Sequence, residues 1–235
     1  MILCIIQARM GSTRLPGKTM ALVRDDMHVI DYVVEQVKFS RTIERIIVAI
    51  PDISQDDISY NHLISRKIQV FRGSADDVLD RYYQCAKKES ASVVVRITAD
   101  NPLIDPQIID KVVEQFTQNN FDYVSNTYPS TFPHGTETEV FSFTALEKAW
   151  KESKDEFDRE HVTPYFYKNR NKFKIGNVSQ NENFSNYSWT VDFKEDLEFV
   201  RHVANHITKK PILTKDIMEL IRKSPDILKI NKKNN

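Results

Sequence analysis

The sequence predicts an α/β protein built on an open, mainly parallel central sheet. Short apolar runs at 2–6, 46–50 and 93–97 have the length and continuity of strands buried on both faces. Helical patterns over 29–39, 75–89 and 106–118 alternate with them. The third observation is size: 235 residues suffice for one domain with a substantial core.

Taken in order, the first strand stops abruptly at a polar loop holding Arg9, Gly11, Ser12, Arg14, Gly17 and Lys18. A buried strand feeding a small cationic loop suits a polyphosphate: glycines let backbone N–H groups approach an anion, and cations neutralise it. A short strand at 68–71 runs into Arg72 and Gly73, and Ser74 is the expected cap of the 75–89 helix, with Asp76 and Asp77 in its first turn. Asp105 and Pro106 form an N-cap and first-position pair for the next helix. Residues 121–144 are expected to be extended, followed by helices at 142–152 and 158–169 and a strand near 172–178. A polar stretch at 179–186 precedes a short strand at 187–191, helices at 194–207 and 214–223, and a tail, 229–235, expected to fray. Residues 1–235 form one domain, with 124–185 as an insertion suited to acceptor binding or subunit contact.

Formal net charge is zero, from 33 basic and 33 acidic side chains, so wholesale nucleic-acid binding is unsupported and anion binding must come from local clusters. Cys4 and Cys85 form no CxxC pair and are expected to be free thiols in a reducing compartment. No signal peptide precedes the first strand and no stretch approaches a membrane span, so a cytoplasmic protein is expected. The six histidines show no HExxH and no pairing with cysteine at ligand spacing. No GxSxG elbow or Cys/His nucleophile arrangement is present, so a covalent mechanism has no candidate.

The polar loop is not a P-loop. Five residues separate Gly11 from Gly17 where that motif requires four, and Pro16 removes an N–H from the cradle. Asp100 stands at the end of the strand that begins at Val93, where ligands of open α/β sheets gather. It is either one of the carboxylates that hold a nucleotide-bound magnesium ion or a turn residue before Asn101 and Pro102. Asp192 has the same pair of readings: a second metal carboxylate, or the N-cap of the 194–207 helix with Glu195 completing a capping box. His134 and His161 are read as structural residues or substrate contacts.

The run from Gln7 to Lys18, QARMGSTRLPGK, resembles the signature of bacterial sugar cytidylyltransferases, which include the synthetases of CMP-sialic acids and CMP-Kdo. The spore coat polysaccharide branch is the nearest in pattern. Further motifs extend the likeness to about residue 205: RGSADDVLDR from Arg72 to Arg81, RITADNPLID from Arg96 to Asp105, Glu139 to Phe143, DREHVTPY from Asp158 to Tyr165, and Trp189 to Asp192. The resemblance implies a Rossmann-like nucleotide-diphospho-sugar transferase fold, a homodimer, CTP as donor, an acidic sugar as acceptor and Mg²⁺ as cofactor. It places Gln7, Ala8, Arg9, Gly11, Ser12, Arg14 and Lys18 around the nucleotide, with Arg9, Ser12, Arg14 and Lys18 on the triphosphate. Arg72 and Ser74 fall where the cytosine is read, and Asp100 and Asp192 match the metal carboxylates. Lys18, Arg14, Asp100 and Asp192 are the expected catalytic group, and Glu139, Arg159, His161 and Tyr165 are the acceptor candidates. Thr190 and Thr138 depart from the pattern, since aspartates often stand at these positions.

Two other functions stay in competition. A glycosyltransferase using a ready-made nucleotide-sugar usually bears an Asp-x-Asp motif, and Thr98 before Asp100 supplies none. A non-catalytic nucleotide-binding protein would keep the loop cations but has no need of both aspartates.

Overall fold

The computed structural model describes residues 1–231. Its elements, in chain order, begin with β1 (Ile2–Gln7), β2 (Leu22–Arg24), β3 (Met27–His28), α1 (Val29–Val37), β4 (Arg45–Pro51) and α2 (Asp57–Ser65). They continue with β5 (Val70–Gly73), α3 (Val78–Lys88), β6 (Val93–Thr98), α4 (Pro106–Asn119), β7 (Tyr123–Ser125) and β8 (Glu139–Ser142). The last are α5 (Phe143–Glu152), α6 (Glu156–His161), α7 (Pro164–Lys168), β9 (Ile175–Asn177), α8 (Lys194–His206) and α9 (Thr214–Lys223).

Seven strands form one sheet in the order β5-β4-β1-β6-β8-β7-β9. β5, β4, β1 and β6 are parallel, β8 runs against both β6 and β7, and β9 is parallel to β7. Alternating side chains explain why these strands are apolar throughout. Cys4, Ile6, Val48, Ile50, Val95 and Ile97 face a core closed by α1 and α4, while Leu3, Ile5, Ile47, Ala49 and Val94 face one closed by α3 and α5. A third cluster joins α8 and α9 to Trp189 and Val191, under the two-stranded β2–β3 hairpin.

From β1 the chain winds outward through β4 to β5, then returns to place β6 on the other side of β1. The crevice at such a reversal is the standard ligand position of an open α/β sheet. Gln7 and Thr98 are register partners there, so the loops after β1 and β6 leave the sheet side by side.

Several elements differ from expectation. The expected 158–169 helix is two helices, because Pro164 cannot continue the first and restricts Thr163. The cap of α3 is Asp77, which accepts from Asp80 N; Ser74 Oγ holds Asp77 N one step earlier, at 3.1 Å. The expected strand at 187–191 shrinks to a single bridge between Ser188 and His134. Segment 124–185 contributes β8 and β9 to the main sheet, and so is continuous with it. In the expected frayed tail, Lys229 ends a 3-10 turn and Asn231 donates to Ser188 O; residues 232–235 lie outside those described. Helix α2 and the β2–β3 hairpin had no sequence forecast. α2 buries little beyond Ser59 and Leu63, so it carries almost no apolar stripe to detect.

Candidate active site

The loop after β1 closes on itself. Ser12 N and Gly17 N both donate to Met10 O, Leu15 N donates to Ser12 Oγ, and Met10 N donates to Asp56 Oδ1 at 2.8 Å. Gly17 takes φ +71°, which a side chain would strain, while a Cβ at Gly11 would meet only open space. Three of these amide donors are spent inside the loop and the fourth on Asp56, while the N–H groups of Gly11, Thr13 and Arg14 stay unspent beside the charged side chains.

Those side chains line a cleft of about 380 Å³ that brings together Gln7, Ala8, Arg9, Ser12, Arg14 and Lys18. The floor carries Asp100 and Asp192. Lys18 Nζ sits between the two carboxylates, 2.8 Å from Asp100 Oδ2 and 3.0 Å from Asp192 Oδ1, and also donates to Val191 O at 2.8 Å. Arg14 pairs with the other Asp192 oxygen, and Thr98 Oγ1 donates to Asp100 Oδ1 at 2.6 Å. Arg9 reaches Glu160 of α6 at 3.6 Å, with both side chains about half exposed.

The neighbours of the two aspartates show what each carboxylate faces. Asp196 accepts from the backbone N–H groups of Asp192 and Phe193, so it performs the capping of α8 and leaves the Asp192 carboxylate free to face Lys18. Asp105 caps α4 through Gln107 N, and Asp100 lies in the turn after β6, as its turn reading expects, with its carboxylate facing Lys18 and Thr98. Both carboxylates converge on one cationic atom. All their free lone pairs are hard oxygen donors, and the pair therefore fits a magnesium-like ion at the position Lys18 Nζ takes in the free chain.

A second cleft, about 750 Å³, opens beyond the first and shares Thr98, Asp100, His161 and Asp192 with it. Its wall holds the buried pair Arg96–Glu139. Burial alone would raise the Glu139 carboxyl, but Arg96 and the hydroxyls of Tyr123, Tyr167 and Thr163 outweigh it and hold the group below its ordinary value. Tyr123 and Tyr167 donate to Glu139 Oε1 at 2.6 and 2.7 Å. Thr190 donates to Asn101 Oδ1, and Thr138 is fully buried with its hydroxyl turned to Thr136 O.

His161 is presented by an unusual turn. Thr163 N donates back to His161 O at 2.8 Å, closing a γ-turn about Val162, which has φ 71° and ψ −55°. A buried β-branched residue with positive φ is strained, typically by about 1–3 kcal/mol, and such strain concentrates at functional sites. It ends α6 with the His161 ring against Phe157, at the junction of the two clefts.

Four expected site residues are not brought here. Arg159 Nε donates to Asp77 at 2.6 Å, Nη2 pairs with the same carboxylate, and Nη1 donates to both Trp150 O and Ser153 O, so it ties α6 to α3. It lies two residues from His161 on one helix, and that spacing turns the two side chains to opposite sides. Tyr165 OH donates to Glu152 inside the second core, whereas Tyr167 reaches the cleft. Arg72 is held by Asp52 and Asp57 and lies over Tyr60, and Ser74 Oγ is occupied with Asp77 N. Near them is a buried polar group that sequence reasoning left unassigned. Arg81 is fully buried and donates to Ser74 O, but its Nε and Nη2 lack partners, as does Asp56 Oδ2. Burial pushes the Arg81 guanidinium below, and the Asp56 carboxyl above, their usual values.

A doubly wound sheet with cations and two carboxylates at its reversal defines a nucleotide-binding enzyme of the transferase class. The cytidylyltransferase family model matches residues 3–224, and this chain belongs to that family. It is 31% identical to the spore coat polysaccharide biosynthesis protein SpsF of Bacillus subtilis, over 96% of this chain and 95% of that one. It is 27% identical to the 3-deoxy-manno-octulosonate cytidylyltransferase of Thermodesulfovibrio yellowstonii, over 90% and 89%. A solved cytidylyltransferase from Leptospira borgpetersenii superposes with a TM-score of 0.93 at 33% identity, covering 100% of this chain and 98% of that one. The chain is thus a cytidylyltransferase enzyme with the nucleotide-diphospho-sugar transferase type of sheet. No helix among the described residues is long and apolar enough to cross a membrane.

Proposed function

We propose that the chain transfers CMP from CTP to the hydroxyl of an acidic sugar, a nonulosonic acid or a relative of one, for surface polysaccharide. The observation that carries the proposal is the pair of clefts meeting at Asp100, Asp192 and His161, with every loop cation on one side of the junction. The relatives named above favour a sugar acid as acceptor.

In this reading Arg9, Ser12, Arg14 and Lys18 hold the triphosphate, with Gln7 and Ala8 walling the cleft and Gly11 in the loop outside its lining. The backbone near Ser74, which the buried Arg81 holds from behind through Ser74 O, meets the cytosine edge. Arg72 acts there indirectly, by ordering Asp57 and the 52–57 turn. Asp100 and Asp192 hold Mg²⁺, which when bound supplies Lewis-acid charge stabilisation at the α-phosphate. The acceptor hydroxyl gives its proton to water as its oxygen bonds to the α-phosphorus, the α–β bridging bond breaks, and pyrophosphate leaves with the electron pair. Lys18 and Arg14 exchange their aspartate partners for the phosphates and offset the charge on the departing group. His161 meets the acceptor carboxylate, and Glu139, already saturated by Arg96 and two tyrosines, shapes the cleft wall. A homodimer and a cytoplasmic location belong to the same proposal.

Pyrophosphate release measured with CTP and a panel of acidic sugars tests it. Mg²⁺-dependent release should be abolished in Asp100→Ala and Asp192→Ala; near-wild-type turnover in both would refute the metal assignment. Release with no acceptor in the panel but with neutral sugars would move the acceptor to another class.

A further inference from the structure

The six histidines show no ligand spacing in sequence, but the fold gathers two of them around one carboxylate, away from the junction of the clefts. His28 closes β3 and opens α1, Asp31 lies in the first turn of α1, and His62 lies on α2. His28 Nδ1 is 3.2 Å from Asp31 Oδ2, and His62 Nε2 is 2.8 Å from Asp31 Oδ1. One ligand atom from each residue lies within 4.8 Å of the others. The two imidazoles stand edge to face, 73° apart with centroids 4.5 Å from each other, so both nitrogens converge on the carboxylate without stacking.

We infer that His28 Nδ1, His62 Nε2 and an Asp31 carboxylate oxygen form a binding site for a divalent transition metal of the Zn²⁺ class. Tetrahedral zinc with bonds of about 2.0–2.2 Å sets its ligand atoms roughly 3.3–3.5 Å apart. Both imidazole nitrogens reach the same oxygen, Asp31 Oδ2, at 3.2 and 3.0 Å, so these two separations need to widen by only a fraction of an ångström, and all three ligand atoms lie within 4.8 Å of one another. Asp31 is 3% exposed and its Oδ2 also accepts His28 N at 2.8 Å, a support that fixes the carboxylate's direction. The histidine side chains are 21% and 14% exposed, which leaves an approach from solvent and a fourth position for water.

The donor set separates this site from the active one. Two imidazoles and one carboxylate favour zinc, cobalt or nickel, whereas the all-oxygen pair Asp100 and Asp192 suits magnesium. The site also has a mechanical role to fill. α2 is a helix with little buried apolar surface, and its end is otherwise fastened by Arg66, which donates to Asp26 O and pairs with the Asp26 carboxylate. A metal shared by His62, Asp31 and His28 would staple α2 to α1 and to the hairpin that packs on α8.

The test is a Co²⁺ titration of the full chain after chelator treatment, in excess Mg²⁺ so that the aspartate site is filled. One equivalent of Co²⁺ should develop the intense visible band of a four-coordinate ion, and Zn²⁺ should displace it. His62→Gln and His28→Gln should each abolish the band while retaining Mg²⁺-dependent turnover and folded circular dichroism. Zn²⁺ should raise the melting temperature of the wild type and leave both variants unmoved. His202 and His206, stacked one turn apart on α8, are the internal control. A band lost in His206→Gln but kept in His62→Gln overturns the assignment, as does the absence of any four-coordinate band.

Discussion

Replacing Lys18 with methionine removes the charge that joins the two aspartates while keeping the length of the side chain. Lys18 Nζ contacts three oxygens, at 2.8, 2.8 and 3.0 Å, and its side chain is 11% exposed. Charge-assisted hydrogen bonds contribute about 1.5–3 kcal/mol when well buried. Asp100 and Asp192 are 25% and 31% exposed, so water screens part of the pair and re-solvates the carboxylates. A net loss of about 2 kcal/mol follows, or roughly 4–8 °C in melting temperature for a chain of this size. Mg²⁺ without nucleotide should then recover more of that loss in Lys18→Met than it adds to the wild type, because the ion no longer competes with an ammonium. Turnover should fall by on the order of 10²–10³, the usual cost of deleting one electrostatic stabiliser. Differential scanning fluorimetry with and without Mg²⁺, beside a pyrophosphate assay, reads both effects. An unchanged melting temperature would refute the clamp. A lowered one with no extra gain from Mg²⁺ would show that the carboxylates do not form a cation site.

Arg159→Ala should destabilise the fold by about 2 kcal/mol through the lost α6–α3 bonds, with no selective rise in acceptor KM; His161→Ala should raise acceptor KM and leave CTP KM unchanged, and steady-state kinetics distinguish the two. Asp110 accepts from Ser40, Arg41 and Thr42, which outweigh the effect of burial and hold its carboxyl below the usual 3.8. Since its folded value is depressed, its contribution is present above the unfolded value and is lost as pH falls through the folded one. Asp110→Asn should therefore cost about 1–2 kcal/mol at pH 7, and urea melts should show the gap closing below pH 4. Cys4 and Cys85 are both buried, and burial pushes the Cys85 thiol up to about 12, so neither should react with a disulfide reagent at pH 8 until the chain unfolds.

The parallel half of the sheet was legible because strands buried on both faces announce themselves as apolar runs, and β1, β4 and β6 lie where 2–6, 46–50 and 93–97 predict. The loop cations and Asp100 were legible from their place at strand ends, whereas Asp192 was placed at the end of a 187–191 strand that the fold reduces to one bridge. Arg96 and Thr98 were not singled out, although a signal was available: in a strand they share a face with Asp100 at intervals of two, opposite Val95 and Ile97. The acceptor wall was harder. Arg159 and Tyr165 belong to the right motif, but each is one helical step from the residue that enters the cleft, and motif order carries no facing information. Pro164 was the available signal that the 158–169 helix breaks, and the break is what turns Tyr167 inward. The His28–Asp31–His62 group had no signal at all, because 31 residues and a whole strand separate its histidine on α2 from the carboxylate.

The extra residue in the loop after β1 has a structural meaning. A P-loop binds phosphate with backbone N–H groups pointed at one anion. Here the N–H groups of Ser12 and Gly17 point at Met10 O, and that of Met10 at Asp56. The longer loop turns these donors onto itself and Asp56, keeps the N–H groups of Gly11, Thr13 and Arg14 available, and adds charged side chains to the binding. Side chains are held less firmly than backbone, and the two aspartates hold them: Lys18 and Arg14 are kept extended toward the crevice by the carboxylates they must release when nucleotide arrives. Asp192 reaches that position because Val191 N donates to Asp100 O, joining the segment before α8 to the end of β6. Loop cations and aspartates thus neutralise one another in the free chain, and under the proposed function a triphosphate with its divalent ion, which carries both complementary charges, would separate them.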